Sequence, residues 1–284
     1  LANDVLWEYN AFGQLTGDYQ EHGGGVNVST TPKVQYVFAD GSANHVRRTQ
    51  TVYPNGRILH YGYNSGTDDA LSRVSYLADD NGSGSPGQHL VEYSYLGGSP
   101  RPQGGRGAGG EGIVRATYPQ PQIRYDLAFG AGSDPYDGLD RFGRVVDHLW
   151  QNTNNSTDVV RIGHGYDRVG NRLWRQDQVA ASANLDELYS YDGINQLVAL
   201  QRGRLNSVQT ALQTGTKTFG EGWSLDMTGN WTTFQQDTDG NGTWGLNQSR
   251  THNTANELTG FPTSGWASPA YDRCGNMTSV PKPL

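Results

Sequence analysis

The chain reads as an all-β protein built from antiparallel β-hairpins, and three observations predict it. First, one short phrase recurs: an aromatic or apolar residue, Asp or Asn, two or three spacers, often Gly, then Asn, Arg or Gln and an apolar residue. Second, the aromatics ahead of the Asp or nearby, such as Tyr61 and Tyr63 or Tyr189 and Tyr191, alternate with smaller residues, the period-2 pattern of a strand. Third, the 284 residues include 39 Gly, 16 Tyr and 7 Trp, and only 17% are charged. That composition suits a turn-rich protein whose strands pack through aromatic cross-strand pairs.

The phrase has a physical meaning. Asp and Asn side chains bond to nearby backbone N–H groups and tolerate turn geometry. The Gly takes positive φ without a steric penalty. The apolar residue that follows starts a second strand, as in Arg172-Leu173-Trp174-Arg175 or Gln196-Leu197-Val198. Each copy is therefore strand, tight turn, strand.

Along the chain the elements fall in order. Residues 1–96 form a degenerate β-repeat segment. It holds the copy Tyr9-Asn10-Ala11-Phe12-Gly13-Gln14-Leu15 and looser pieces at Tyr53-Pro54-Asn55-Gly56-Arg57 and Tyr63-Asn64-Ser65-Gly66. Strands are expected at Val34–Phe38, Ile58–Tyr63 and Val91–Tyr95, with a long turn cluster at Asp79–Gly87. Residues 97–112 are a Gly/Pro/Arg-rich loop that cannot order itself by apolar burial. Strand sequence resumes at Gly112–Tyr118, and residues 113–284 form the regular repeat segment of one continuous array. Its loop positions are Asp140, Asp167 with Gly170, Asp192, Asp226 with Gly229, and Asp272 with Gly275; the copy at Asn253 lacks the Gly. The anchors from Asp140 to Asp272 stand 27, 25, 34, 27 and 19 residues apart, a drift that suits hairpins with variable far-side loops. Little helix is expected; Ala181–Leu188 is helix-like but poorly capped.

At these residues the chain resembles the Rhs or YD-repeat family, whose repeat is roughly Tyr-Asp-x-x-Gly-Arg-Leu, or with Asn for the Arg. Tyr166–Leu173 and Tyr271–Met277 match it directly, and Asp140–Val145 matches apart from Leu139. The resemblance covers about half of the chain, from Tyr136 onward. It implies a spiral of hairpins, open at the ends here, that curls into a hollow shell. In the family such shells enclose a C-terminal segment, often a toxin, or form a large surface body. The implied partners are the rest of the chain's own repeat array and an encapsulated C-terminal segment of a parent protein. The implied location is secreted or at a bacterial-type cell surface. The sequence reads as an excerpt of such an array.

Composition narrows the remaining classes. The net charge is −7 and the pI near 5.4, which argues against nucleic-acid or anionic-membrane partners. No run of about 18 apolar residues occurs, so no membrane insertion by helix is expected. The lone Cys274 sits at a spacer position and reads as a small turn residue.

Candidate chemistry is sparse. Asp237, Asp239 and Asn241, followed by Gly242, have the spacing of oxygen ligands at the start of a calcium loop. Gln248 stands where a bidentate carboxylate belongs, so an acidic hairpin turn is favoured over a structural calcium site, and no other cofactor is expected. The repeated Asp residues recur once per turn, as a group needed for turn geometry must and a catalytic pair must not. The seven His residues are scattered, with no HExxH, no paired-Cys spacing and no Gly-x-Ser-x-Gly elbow.

The leading functional reading is a non-catalytic wall or spacer segment of a large secreted or surface protein. The alternative is an adhesion module holding glycans on exposed Tyr and Trp. Ranked last is a hydrolase or lyase, which requires a pocket with His and carboxylate within hydrogen-bond reach.

Overall fold

Strands rich in alternating aromatic and polar residues, joined by Asp-anchored turns, fold as antiparallel meanders. The computed structural model describes residues 3–40, 44–96, 112–130, 136–262 and 265–280. The Gly/Pro/Arg-rich stretch lies outside these residues, except for Gly112. The chain divides into two compact units, Leu1–Val159 and Val160–Leu284.

Among the described residues of the first unit ten strands follow one another: β1 (Asp4–Tyr9), β2 (Leu15–Glu21), β3 (Lys33–Phe38), β4 (Arg48–Val52), β5 (Ile58–Gly62), β6 (Tyr76–Asp80), β7 (Pro86–Tyr95), β8 (Ile113–Tyr118), β9 (Ile123–Asp126) and β10 (Asp147–Asn152). Each pairs antiparallel with the next. A four-residue helix, α1 (Thr67–Ala70), interrupts the loop between β5 and β6. Val114, Leu127 and Leu139 form a small buried core, against which Tyr125, Tyr136 and Val145 pack.

The second unit takes most of β11 (Asp158–Tyr166). It continues with β12 (Arg172–Asp177), β13 (Asp186–Tyr191), β14 (Leu197–Gly203), β15 (Phe219–Leu225), β16 (Trp231–Asp237) and β17 (Leu246–Ser249). These again pair consecutively and antiparallel. Two further hairpins close the chain: β18 (Thr251–His252) with β19 (Leu258–Gly260), and β20 (Ala270–Tyr271) with β21 (Met277–Ser279). Among the described residues the strands do not close into a barrel.

A regular irregularity marks the hairpins. The ladder register slips at Tyr9, Tyr166, Tyr191, Leu225, His252 and Tyr271, the residue just before each Asx anchor. Such bulges bend the strand and raise its twist. In each case that residue pairs with the residue six positions on, so the enclosed loop is always five residues long, and the extra, unpaired residue stands on the outgoing strand, as Thr16 and Leu173 do.

The structure specifies three segments that the sequence left irregular. Ala181–Leu188 is no helix: Ala181–Ala183 makes a single 3₁₀ turn, Asn184 takes φ +53, and β13 begins at Asp186. The Asp186 carboxylate accepts the backbone N–H groups of Asp177 and Leu205, each at 2.9 Å, which ties the segment into the sheet. Tyr63–Gly66 is not a loop of the recurring kind but leads into α1, with the Asn64 N–H bonded to Ser75 Oγ at 2.9 Å. Finally, Tyr53 itself occupies the anchor position of its loop. That loop joins β4 to β5, so in an antiparallel meander it lies at the sheet edge opposite the Asn10 loop.

Candidate functional site

The recurring loop is built from one anchor outward. At Asn10, Asp140, Asp167, Asp192, Asp226, Asn253 and Asp272 the anchor N–H donates to the carbonyl four residues on, at 2.9–3.0 Å. The N–H three residues on donates back to the anchor carbonyl. The anchor Oδ1 then accepts the N–H groups two and four residues on: Phe142 and Arg144 at Asp140, Ile194 and Gln196 at Asp192, Cys274 and Asn276 at Asp272. Asn10 and Asn253 do the same with neutral amides. Tyr53 keeps the backbone bonds and lacks the side-chain ones.

The fourth loop residue is left-handed everywhere: Gly13, Gly56, Gly143, Gly170, Gly229 and Gly275 take φ of +75 to +101. Asn195 and Asn256 fill the same position at φ +66 and +62. Asn is the side chain that tolerates this region best. This explains how the Asn253 loop forms without its Gly.

The fifth residue complements the first, a relation the sequence reading missed. An ionised Asp only accepts, and its partner donates: Arg144 Nε to Asp140 at 2.6 Å, Asn171 Nδ2 to Asp167 at 2.8 Å, Asn230 Nδ2 to Asp226 at 3.0 Å and Asn276 Nδ2 to Asp272 at 2.9 Å. Where the anchor is Asn, its amide donates to an acceptor, Gln14 Oε1 at 2.7 Å or Glu257 Oε2 at 2.6 Å. The Asn230 and Asn276 side-chain amides are the main reason that the carboxyls of Asp226 and Asp272 lie below the ordinary range. At Asp140 and Asp167 burial pushes the other way, but the donors from Arg144 and Asn171 outweigh it.

Successive loops in the second unit also bond sideways. Asn171 Nδ2 donates to Asn195 Oδ1, and Asn230 Nδ2 to Asn256 Oδ1, each at 2.9 Å. The carboxylates stay one per loop, each satisfied by its own loop. The arrangement is a polar seam along a sheet edge, suited to holding hairpins in register.

The expected calcium ligands lie between β16 and β17. Asp237 is fully buried, and its oxygens accept the N–H groups of Gly240 and Gly242 at 2.8 and 2.9 Å and Lys217 Nζ at 2.7 Å. The Lys217 hydrogen bond chiefly holds this carboxyl down at about 2. Asp239 accepts the backbone and side-chain N–H groups of Asn241. An ammonium thus already sits where the loop concentrates negative charge, and a cation would have to displace it.

Buried His60 pairs with Asp80 at 2.9 Å, and His89 with Glu92 at 2.6 Å. Trp7, Trp231 and Trp244 are exposed, as is Cys274 at its loop tip. No helix is long and apolar enough to cross a membrane among the described residues.

No family model and no curated protein matches the chain. Solved structures do. A crystal structure of TcdB2-TccC3 superposes with a TM-score of 0.59 at 12% identity, over 95% of this chain and 14% of that one. The TcdB2-TccC3-Cdc42 crystal structure gives a TM-score of 0.58 at 12% identity, again over 95% and 14%. The Photorhabdus luminescens Tc holotoxin pore with a TccC3 mutation gives 0.55 at 13% identity, over 93% and 13%. The chain therefore has an Rhs-like fold, and it spans about one seventh of the length of the chains it matches.

Proposed function

We propose that this chain is a non-catalytic wall segment of a toxin-associated shell, one stretch of a longer hairpin array that encloses a C-terminal segment of its parent protein. The observation that carries the reading is the superposition of nearly the whole chain on a short stretch of TccC3-containing toxin chains. The edge seam supports it physically. A wall must hold its register without a thick core, and each five-residue loop closes one hairpin while two of them also bond to the next loop. Its partners are the rest of its own array and the enclosed segment, and its place is outside the producing bacterial cell or on its surface.

The test uses the full parent polypeptide under limited proteolysis. The enclosed segment should resist cleavage until the hairpin array unfolds. Cleavage as fast as that of the segment expressed alone overturns the reading. A second reading, adhesion to glycans, rests on exposed Trp7, Trp231 and Trp244. Glycan-array binding that is lost on Trp→Ala changes at these positions supports it, and an array without signal dismisses it.

A further inference from the structure

Strand register in the first unit sets charged and polar side chains on one face in two rows. Tyr76 stands opposite Glu92, Glu92 opposite Thr117, Thr117 opposite Arg124, and Arg124 opposite Gln151. Beside them run Ser94, Arg115 and Asp126. Directly opposed residues share a face, and Tyr76, Glu92, Ser94, Thr117, Arg115 and Arg124 line a cleft of 410 Å³ together with His89. The cleft lies wholly within this unit.

Its two ends differ in chemistry. At one end His89 Nδ1 lies 2.6 Å from Glu92 Oε1, and the His89 ring stacks on Tyr76 with centroids 4.0 Å apart. A carboxylate only accepts, so Nδ1 carries the proton, and in the neutral ring Nε2 then presents a lone pair. Neither Nε2 nor Glu92 Oε2 has a polar partner among the described residues. This end is rich in acceptors. At the other end two guanidiniums share one fully buried carboxylate, with Arg115 Nη2 at 2.9 Å and Arg124 Nε at 3.1 Å from Asp126 Oδ2. Arg115 Nη2 also donates to the Ala128 carbonyl, and Arg124 Nη2 to Gln151. Nη1 of each remains without a partner among the described residues. This end has one positive charge in excess and donors to spare.

We propose that this cleft binds a hexuronic acid residue, with its carboxylate on Arg115 and Arg124 and its hydroxyls donating to His89 Nε2 and Glu92. Glu92 and Arg124 are two strand spacings apart, about 10 Å between backbones, a span that a pyranose ring and the facing side chains fill. Inorganic phosphate or sulfate fits less well. Either would satisfy the arginines but offers few or no donors to the acceptor end and meets the Glu92 charge. A neutral hexose satisfies only the acceptor end. The proposal concerns this cleft alone and stands or falls apart from the wall reading.

The test is calorimetric titration of the whole chain with D-glucuronate, D-glucose and inorganic phosphate. Glucuronate should bind saturably and about tenfold more tightly than either control. Thr117→Trp, which fills the cleft between Glu92 and Arg124, should abolish the binding. Glu92→Gln should weaken it about five- to tenfold. Circular dichroism melts establish that each variant is folded. The proposal is overturned if glucuronate gives no saturable heat, if phosphate or glucose binds equally well, or if folded Thr117→Trp binds like the parent.

Discussion

Asn171 Nδ2 donates to Asn195 Oδ1 at 2.9 Å, a bond between two loops whose anchors, Asp167 and Asp192, lie in successive hairpins. Asn195 thereby does two things at once: it holds the left-handed loop position at φ +66 and supplies the acceptor for its neighbour. Substitutions separate the two. Asn195→Gly keeps the backbone free to adopt positive φ and removes only the acceptor, so it should lower stability by about 1 kcal/mol. Asn195→Ala removes the acceptor and strains the backbone, adding roughly 1 kcal/mol more. Urea unfolding of both variants checks this, and equal midpoints would show that the seam bond alone matters.

Two glycines in neighbouring copies should respond oppositely to the same change. Gly170 sits at φ +101, where a side chain is strained. Gly193 lies one residue after its anchor, and a Cβ there meets nothing within 4 Å. Gly170→Ala should therefore destabilise by about 1–2 kcal/mol. Gly193→Ala should be neutral or stabilise by about 0.4–1 kcal/mol, through the unfolded chain's lost freedom. A thermal melt of each suffices. A stabilised Gly170→Ala would contradict the shared loop geometry.

These pairs also mark what the residues disclosed by themselves. The all-β hairpin class was legible because aromatic alternation and Asp/Gly turns are local signals. The left-handed role of Asn195 was hidden because Gly193, two positions earlier, offered a more obvious candidate. The register slip beside each loop, the complementarity of first and fifth loop residues and the Asn171–Asn195 bond depend on pairs brought together by folding. So does the cleft: Glu92, Thr117 and Arg124 lie on three strands, and nothing in their separate surroundings announces a common face. The one periodic clue available was the alternation of donor and acceptor at the fifth position with Asp or Asn at the first.

That alternation yields a compensation test at Asp226. Asp226→Asn should turn an amide toward Asn230 Nδ2, donor against donor, and lower the urea midpoint. Adding Asn230→Glu recreates the Asn253–Glu257 pairing and should restore most of the loss. The recovery has to appear as coupling in a double-mutant cycle; additive losses would refute complementarity.

The same carboxyls predict the direction of acid destabilisation. Asp226 and Asp272 are held below their ordinary range when folded, foremost by the side-chain amides of Asn230 and Asn276. A depressed carboxyl binds more protons in the unfolded chain, so its stabilisation is complete above pH about 4 and is lost as pH falls through the folded value. Stability should drop below pH about 4. The Asp272→Asn chain should show a shallower fall than the parent over that range. An equally steep fall would place the acid response elsewhere.

Lys217 decides how the Asp237 loop treats calcium. Its ammonium, 2.7 Å from Asp237 Oδ2, supplies the positive charge that the buried carboxylate requires. Calcium or a chelator should therefore leave the melting temperature of the parent chain unchanged. Lys217→Gln removes that charge and leaves the carboxylate buried without a cation, so the variant should melt earlier. Its Asp237, Asp239 and Asn241 oxygens then face an unfilled demand. Millimolar calcium should recover part of the loss in the variant, because a ligand bound only by the folded state raises stability by mass action. Magnesium should recover less, since its small, rigid octahedral shell fits poorly in a loop whose Gly240 and Gly242 amides already hold the carboxylate. A calcium-dependent melt of the parent chain would show that the ion competes successfully with Lys217 and that the loop is a metal site as it stands.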